Sequence, residues 1–499
     1  MEQKRCAGVL LHITSLPSKY GVGTLGKEAF DFIDFLKKSN VSIWQVLPLV
    51  PTNYGDSPYQ SVSSTALNYY LIDFDILRQK KLLKKEDYEN VFFGDDPLRV
   101  NYAALFENKT QVLRKAFNNF DKENRNFKKF VKDAEYNDFA VFMTIKAMHE
   151  YKSWDLWDEK YKNYSEELEK EVIETYKDDY LFWVWTQFEF VNEWKKLKDY
   201  AKEAGIKIMG DMPIYVAYDS VEVWKHPELF DLNPDKTKHL VAGCPPDVFS
   251  EDGQLWGNPC YNWAYQKSRG YKWWTYRINA NFKFVDMLRI DHFRGFDRYY
   301  AIPAENTNAK IGEWLDGPKS DLFKDKLDLN IVAEDLGVID DGVRKLMADT
   351  QYPGMKILEF AFDGSLDNDH LPSNYKKNLL CYTGTHDNMP LYQYILDLNE
   401  KEFETFKAGV KREADLLGVK MHGEDAKGIE ETVVEMAFAS IANIAIVPMQ
   451  DLLCQDGSTR MNLPSTVSTD NWSYRCKKSY FSDHLAEELK GYITKYNRL

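Results

Sequence analysis

Residues 287–296, MLRIDHFRGF, begin as a strand and end as something else. Met287, Leu288 and Ile290 give the stretch an apolar body, and then Asp291, His292 and Arg294 crowd its end beside Arg289. A run that is apolar on consecutive positions, not alternate ones, suits a strand buried on both faces, as in a parallel sheet. Charges gathered at the end of such a strand mark the place where parallel α/β folds carry their chemistry.

Seven other segments repeat the pattern. They are AGVLLHI (7–13), IWQVLPL (43–49), IKIMGDMPI (206–214), NIVAEDLG (330–337), MKILEF (355–360), LLCYTGTHD (379–387) and IAIVPMQDLL (444–453). Amphipathic helical stretches such as GKEAFDFIDFLKKSN lie between several of them. Eight such units predict a (β/α)8 barrel, an α/β fold of the TIM-barrel class, and the absence of a GxGxxG after any strand argues against an open dinucleotide-binding sheet. The second and third runs are too far apart for one crossover helix. Residues 70–200 therefore read as a helical insertion, closed by Gly205 at the end of the helix before strand three. The stretch 215–285, rich in Pro, Gly and Trp, reads as an elaborated loop near the site. The 499 residues thus form a single barrel domain, 1–499, with insertion subdomains.

Composition narrows the partners. A formal charge of −14, spread along the chain, argues against a nucleic-acid or anionic-membrane partner, since both call for basic patches. No run approaches the roughly 20 apolar residues of a membrane span. The N-terminal MEQKRCAGVLLHITSLPS imitates a signal peptide, but its apolar run is short and broken by His12, so it reads as a strand. Six scattered cysteines without CxxC spacing fit a reducing compartment, and the expectation is a cytoplasmic protein. Aromatics at 15% are accounted for first by a large core; the alternative is a site that holds apolar ring faces and hydrogen-bonds polar edges, as Tyr and Trp allow and sugars demand.

Three of the runs finish on an acid: Asp291 in LRIDHF, Glu334 in VAEDLG and Asp387 in GTHDNM. In a barrel their side chains converge on one pocket. A lone strand-end acid most often caps a helix or pairs with an arginine; three at strand ends are a different matter. Arg289 and His292 flank Asp291, so its pKa is expected to fall and its charge to persist. Glu334, facing other carboxylates in a recess, is expected to keep a proton. Two carboxyls tuned apart are what glycosidic chemistry needs, one as nucleophile and one as acid. The adjacent His-Asp pairs lack zinc-site spacing, and no GxSxG elbow is present, so neither a metal site nor a serine hydrolase is expected.

Longer motifs sharpen this reading. WQVLPLVPTNYGDSPYQS, GDMPIYVAYDSVEVW, PPDVFSEDGQLWGNPCYNW, RIDHFRGF, VAEDLG and YTGTHDN occur in this order. With them the chain resembles the 4-α-glucanotransferases of glycoside hydrolase family 77, within the α-amylase superfamily. The resemblance implies retaining transfer of an α-1,4-glucan segment to the 4-hydroxyl of glucose or a maltooligosaccharide, with no cofactor and no metal. It casts Asp291 as nucleophile, Glu334 as general acid/base and Asp387 as the third acid that holds ring hydroxyls. Arg289 and His292 share the nucleophile's motif and His386 the third acid's. Tyr59 and Asp211 match positions framing the transferred sugar. The loop 243–258 resembles a mobile lid, with Trp256 and Asn258 facing the glucan, and Asn462 and Pro464 match the last substrate-contacting segment. Ser465, Asp470, Tyr474 and Cys244 depart from the family pattern, away from the three acids. An α-glucan hydrolase and a non-catalytic glucan-binding protein are the alternatives. The sequence leaves the oligomeric state open.

Overall fold

The computed structural model describes residues 5–246, 250–337 and 339–499. In chain order its strands are β1 (Cys6–Leu10), β2 (Ile43–Gln45), β3 (Lys207–Met212), β4 (Leu240–Cys244), β5 (Gln254–Pro259), β6 (Met287–Ile290), β7 (Arg298–Pro303), β8 (Glu313–Asp316), β9 (Ile331–Ala333), β10 (Gly354–Ile357), β11 (Leu379–Tyr382) and β12 (Ile444–Pro448). Each of the eight apolar runs supplies one strand of a parallel sheet ordered β10-β11-β12-β1-β2-β3-β6-β9. The ends meet where the Ala333 amide donates to the Pro353 carbonyl at 2.9 Å, which closes the barrel. Val9, Trp44, Met209, Leu288, Val332, Met355, Leu380 and Ala445 are fully buried, as continuous apolarity requires of strands packed on both faces.

The helical segments differ in weight. Lys27–Lys38 lays Phe32, Ile33 and Leu36 on the barrel, whereas the crossovers from β6 to β9 and from β10 to β11 have short 3-10 turns as their helical parts among the described residues, the first also carrying β7 and β8. Between β2 and β3 stand the helices of the insertion, including Tyr102–Asn118, Asn137–Met148 and the 27-residue Lys177–Glu203. The last of these ends at Ala204. Gly205 follows at φ +79°, and the Ile206 amide returns to the Ala201 carbonyl at 2.8 Å. A left-handed residue there satisfies carbonyls the helix leaves open, and glycine adopts it without strain.

A second sheet, antiparallel and ordered β5-β4-β7-β8, covers one side of the barrel mouth. The elaborated stretch expected over 215–285 supplies β4 and β5, which pair with each other. Strand β4 also pairs with β7, which pairs with β8, both from beyond residue 297, and residues Lys272–Phe282 form the crossover helix that feeds β6. Of the expected lid 243–258, residues 247–249 lie outside the described residues, and the remainder belongs largely to β4 and β5. No helix among the described residues is long and apolar enough to cross a membrane.

Candidate active site

The turn after β6 builds the centre of the site. His292 adopts φ +46°, a left-handed conformation unfavourable for a residue with a side chain, by about 1–2 kcal/mol. That turn brings two consecutive amides onto the neighbouring strand. The His292 amide donates to Glu334 Oε2 at 2.7 Å, and the Phe293 amide donates to the Glu334 carbonyl at 2.9 Å. The Leu336 amide grips the other carboxylate oxygen, Oε1, at 2.8 Å. Strained backbone at His292 thereby fixes the rotamer of Glu334 from the adjoining strand end.

Arg289, buried at the end of β6, forks between two carboxylates. Its Nη1 donates to Asp211 Oδ2 at 2.6 Å and its Nη2 to Asp291 Oδ1 at 2.9 Å. Tyr59 donates its hydroxyl to the same Asp211 oxygen at 2.9 Å, while Asp211 Oδ1 is buried with no protein partner. Across the mouth, Asp387 follows β11. Asn462 Nδ2 donates to Asp387 Oδ1 at 2.7 Å, and Arg460 Nη2 donates to the Asp387 carbonyl at 2.6 Å. His386 Nε2 lies 3.5 Å from Asp387 Oδ2.

Aromatic faces line the walls. The Tyr59 ring stacks on His386 with centroids 5.1 Å apart, and Trp472 packs against both. Trp256 meets His292 edge-on at 4.8 Å, and His292 Nε2 is buried without a protein partner. Burial, and then the Arg294 charge, pushes the His292 imidazole down to about 3; burial lowers His386 as well. Both rings are neutral near neutral pH and keep one N–H to offer a hydroxyl.

Two expectations need correction. Asp291 does not titrate low: burial, opposed by Arg289 and reinforced by Glu334 and Asp387, pushes it up to about 7. The reason is spatial. Arg289 divides its charge between Asp291 and the buried Asp211, and two further carboxyls face Asp291 across the pocket. Glu334 is raised too, by burial, against Arg289 and the Leu336 and His292 amides. The second correction concerns Asn258. Its amide is committed to Gln60 Nε2 at 2.9 Å and to the Val216 carbonyl at 2.8 Å, so it pins the loop after β3 to the 54–60 segment. The residue is only 4% exposed, so it braces this wall and has few free polar atoms for a glucan. Pro464 sits half-buried on the exposed loop that continues from Asn462.

Arg460 and Trp472 join the site without having been singled out from the sequence. Each is an isolated loop residue, and only the RMNLP and DNW context around them carried a signal. Among the described residues no cluster of His, Cys, Asp or Glu is arranged to hold a metal ion, and Arg289 fills the space a cation would take between Asp211 and Asp291. What converges is a set of three carboxyls following strands β6, β9 and β11, neutral imidazoles, and flat aromatic faces. Such a pocket suits a ring with hydroxyl edges and a bond that must be protonated on one side and attacked on the other.

Comparison with known proteins accords with this geometry. The family profile described as 4-alpha-glucanotransferase, glycoside hydrolase family 77, matches residues 11–480. The 4-alpha-glucanotransferase of Clostridium butyricum is 44% identical over 497 residues, covering 98% of this chain and all of the relative. That of Aquifex aeolicus is 42% identical, covering 95% and 96%. Among solved structures, the amylomaltase from Streptococcus agalactiae in complex with acarbose superposes with a TM-score of 0.93 at 43% identity, covering 99% of this chain and 100% of that one.

Proposed function

The chain belongs to the 4-alpha-glucanotransferases of glycoside hydrolase family 77 and transfers α-1,4-glucan segments; we propose that Asp291 and Glu334 perform the transfer as nucleophile and general acid/base. The observation that carries the assignment is the pairing at adjacent strand ends. Asp291 is aimed by Arg289, and Glu334 is gripped by the amide of the residue next to Asp291.

The two facing carboxyls are both raised, chiefly by burial, so each holds a proton more readily than a free carboxyl. Arg289 favours the negative charge on Asp291, and the glycosidic oxygen of a bound glucan receives the proton from Glu334. Asp291 attacks the anomeric carbon as the C–O bond to the leaving sugar breaks, and Glu334 gives that oxygen its hydrogen. The resulting β-glucosyl ester is then opened by the 4-hydroxyl of an acceptor, whose proton returns to Glu334. Asp387, held by Asn462 and Arg460, grips ring hydroxyls as the sugar flattens toward the transition state. The developing positive charge on the ring lies among three carboxyls, where it is stabilised electrostatically.

Water must lose to the acceptor sugar. Tyr59, His386, Trp472 and Trp256 offer ring faces that order a glucosyl unit and exclude solvent, which favours a positioned hydroxyl over bulk water. Acarbose in the related amylomaltase supports reading this cleft as one for α-1,4-glucans and maltooligosaccharides, with glucose as an acceptor. No disulfide joins any of the six cysteines, which suits a reducing, cytoplasmic setting. Given maltotriose, the enzyme should release glucose and build a ladder of longer maltooligosaccharides with α-linkages. Asp291→Asn and Glu334→Gln should each abolish the ladder. A ladder formed at the wild-type rate by either variant would overturn the assignment.

A further inference from the structure

Glu359 is a buried carboxyl at the C-terminal end of β10, where the barrel places its chemistry, yet the mechanism above does not use it. Its neighbours lead to the third acid. Asn388 Nδ2 donates to Glu359 Oε1 at 2.9 Å, and Asn388 Oδ1 accepts from both the amide and the hydroxyl of Thr385 at 2.9 Å. The Thr385 hydroxyl accepts the Asp387 amide at 3.3 Å. One chain of hydrogen bonds therefore runs from Glu359 through Asn388 and Thr385 to the backbone of Asp387. The Glu359 amide also donates to the Thr383 carbonyl at 3.1 Å, so the same residue holds both ends of the turn.

A pocket with room for little more than a water, about 20 Å³, adjoins the turn and is bordered by His12, Thr385, His386, Asn388, Asp451 and Arg460. The polar ties through Asn388 and Thr385 therefore set the course of the turn beside this pocket. We propose that Glu359 is a positioning residue for the third acid, holding the 383–388 turn through Asn388 so that Asp387 meets the sugar ring. The inference rests on the reading of Asp387 given above.

The charged groups facing Glu359 define how it should behave with pH. Asp451 stands on one side, accepting from the Thr383 hydroxyl at 2.5 Å and the Leu391 amide at 2.8 Å. Arg460 stands on the other and is drawn by both Glu359 and Asp387, and the Tyr394 hydroxyl also feels Glu359. Burial, eased by Asn388 and reinforced by Asp451, pushes the Glu359 carboxyl up to about 8. Below that pH a neutral Glu359 accepts from Asn388 and leaves Arg460 on the Asp387 carbonyl. Above it, a new charge competes with that carbonyl for Arg460.

The test compares Glu359→Gln, Glu359→Leu and Asp387→Asn on maltotriose across pH. A glutamine keeps the acceptor for Asn388 but cannot ionise. It should retain kcat within about twofold near pH 6.5 and lack the alkaline decline expected of the wild type around pH 8. The leucine variant should lose about tenfold or more in kcat with KM within about twofold, because a misplaced third acid weakens the transition state more than the bound substrate. Wild-type kcat in a folded leucine variant would overturn the inference, as would an unchanged alkaline decline in the glutamine variant. Should the leucine variant fail to fold, the glutamine pH profile decides alone. If Asp387→Asn kept full rate, the assignment of the third acid would fall and take this inference with it. An inactive Asp387→Asn beside a fully active Glu359→Leu would sink the positioning role only.

Discussion

Replacing Asp291 by Asn should abolish turnover and at the same time make the protein more stable above neutral pH. The folded state raises this carboxyl from 3.8 to about 7, chiefly by burial. Its charge is therefore a cost that is absent below about pH 4, grows as pH rises, and is complete above about pH 7. Each tenfold change in proton affinity is worth about 1.4 kcal/mol, so the full cost approaches about 4 kcal/mol. Asparagine removes that cost and can still accept from Arg289 Nη2, but it leaves part of the Arg289 charge without its second carboxylate. The net gain should be about 2–4 kcal/mol. For a chain of 499 residues the unfolding entropy is about 1 kcal/mol per kelvin, so Tm should rise by about 2–4 °C. The assay is thermal unfolding of both proteins at about pH 4 and about pH 8.5 at matched ionic strength. The two should melt together at the lower pH and separate at the higher. A variant that melts at or below the wild type at about pH 8.5 would refute the reasoning, for it would mean that Arg289 stabilises the Asp291 charge by more than burial costs it.

Four further outcomes follow from the same geometry. Glu334→Gln removes a like charge facing Asp291, so with an activated α-maltosyl fluoride donor, which needs no acid, the acidic limb of kcat/KM should move to lower pH; an unmoved limb would show that the two carboxyls do not interact. Arg460→Met leaves the Asp387 carbonyl without its 2.6 Å donor and should lower kcat about 10–100-fold, with little change in KM on maltotriose. Lys146→Met breaks a buried pair with Asp219 that also anchors Asn53 and so ties the insertion to the mouth of the barrel. A loss of about 3–5 kcal/mol, seen as a Tm lower by about 3–5 °C, is expected from the stranded carboxylate. Gly205→Ala should cost about 1 kcal/mol in denaturant unfolding, because alanine resists φ +79°.

The barrel was legible because its signal is local. Eight strands buried on both faces leave eight short apolar runs, and the acids that end three of them mark one face of the barrel. Gly205 was legible for a similar reason, since a glycine closing a long amphipathic stretch has one common explanation. The antiparallel sheet was not, because the hairpin of β4 and β5 meets β7, through β4, only after the intervening barrel strand β6 has been placed. The charge on Asp291 was misjudged for a comparable reason. Arg289 and His292 are its neighbours along the chain, but Glu334, Asp387 and the Asp211 that shares Arg289 are neighbours only in space. Asn258 shows that a motif places a residue near a site without saying which way its amide faces, and here Gln60 and Val216 take it. Arg460 and Trp472 lie on irregular loops, where no periodicity exists to reveal them.

The central claim is that Asp291 becomes covalently bonded to the sugar while Glu334 waits across the ring. Brief exposure of Glu334→Gln to an α-maltosyl fluoride donor should trap the ester, since the donor needs no acid and the missing base slows its release. Peptide mapping by mass spectrometry should then find the added maltosyl mass on the peptide containing Asp291 and nowhere else. Label on another residue, or fluoride release without any covalent adduct even on millisecond quenching, would contradict the account.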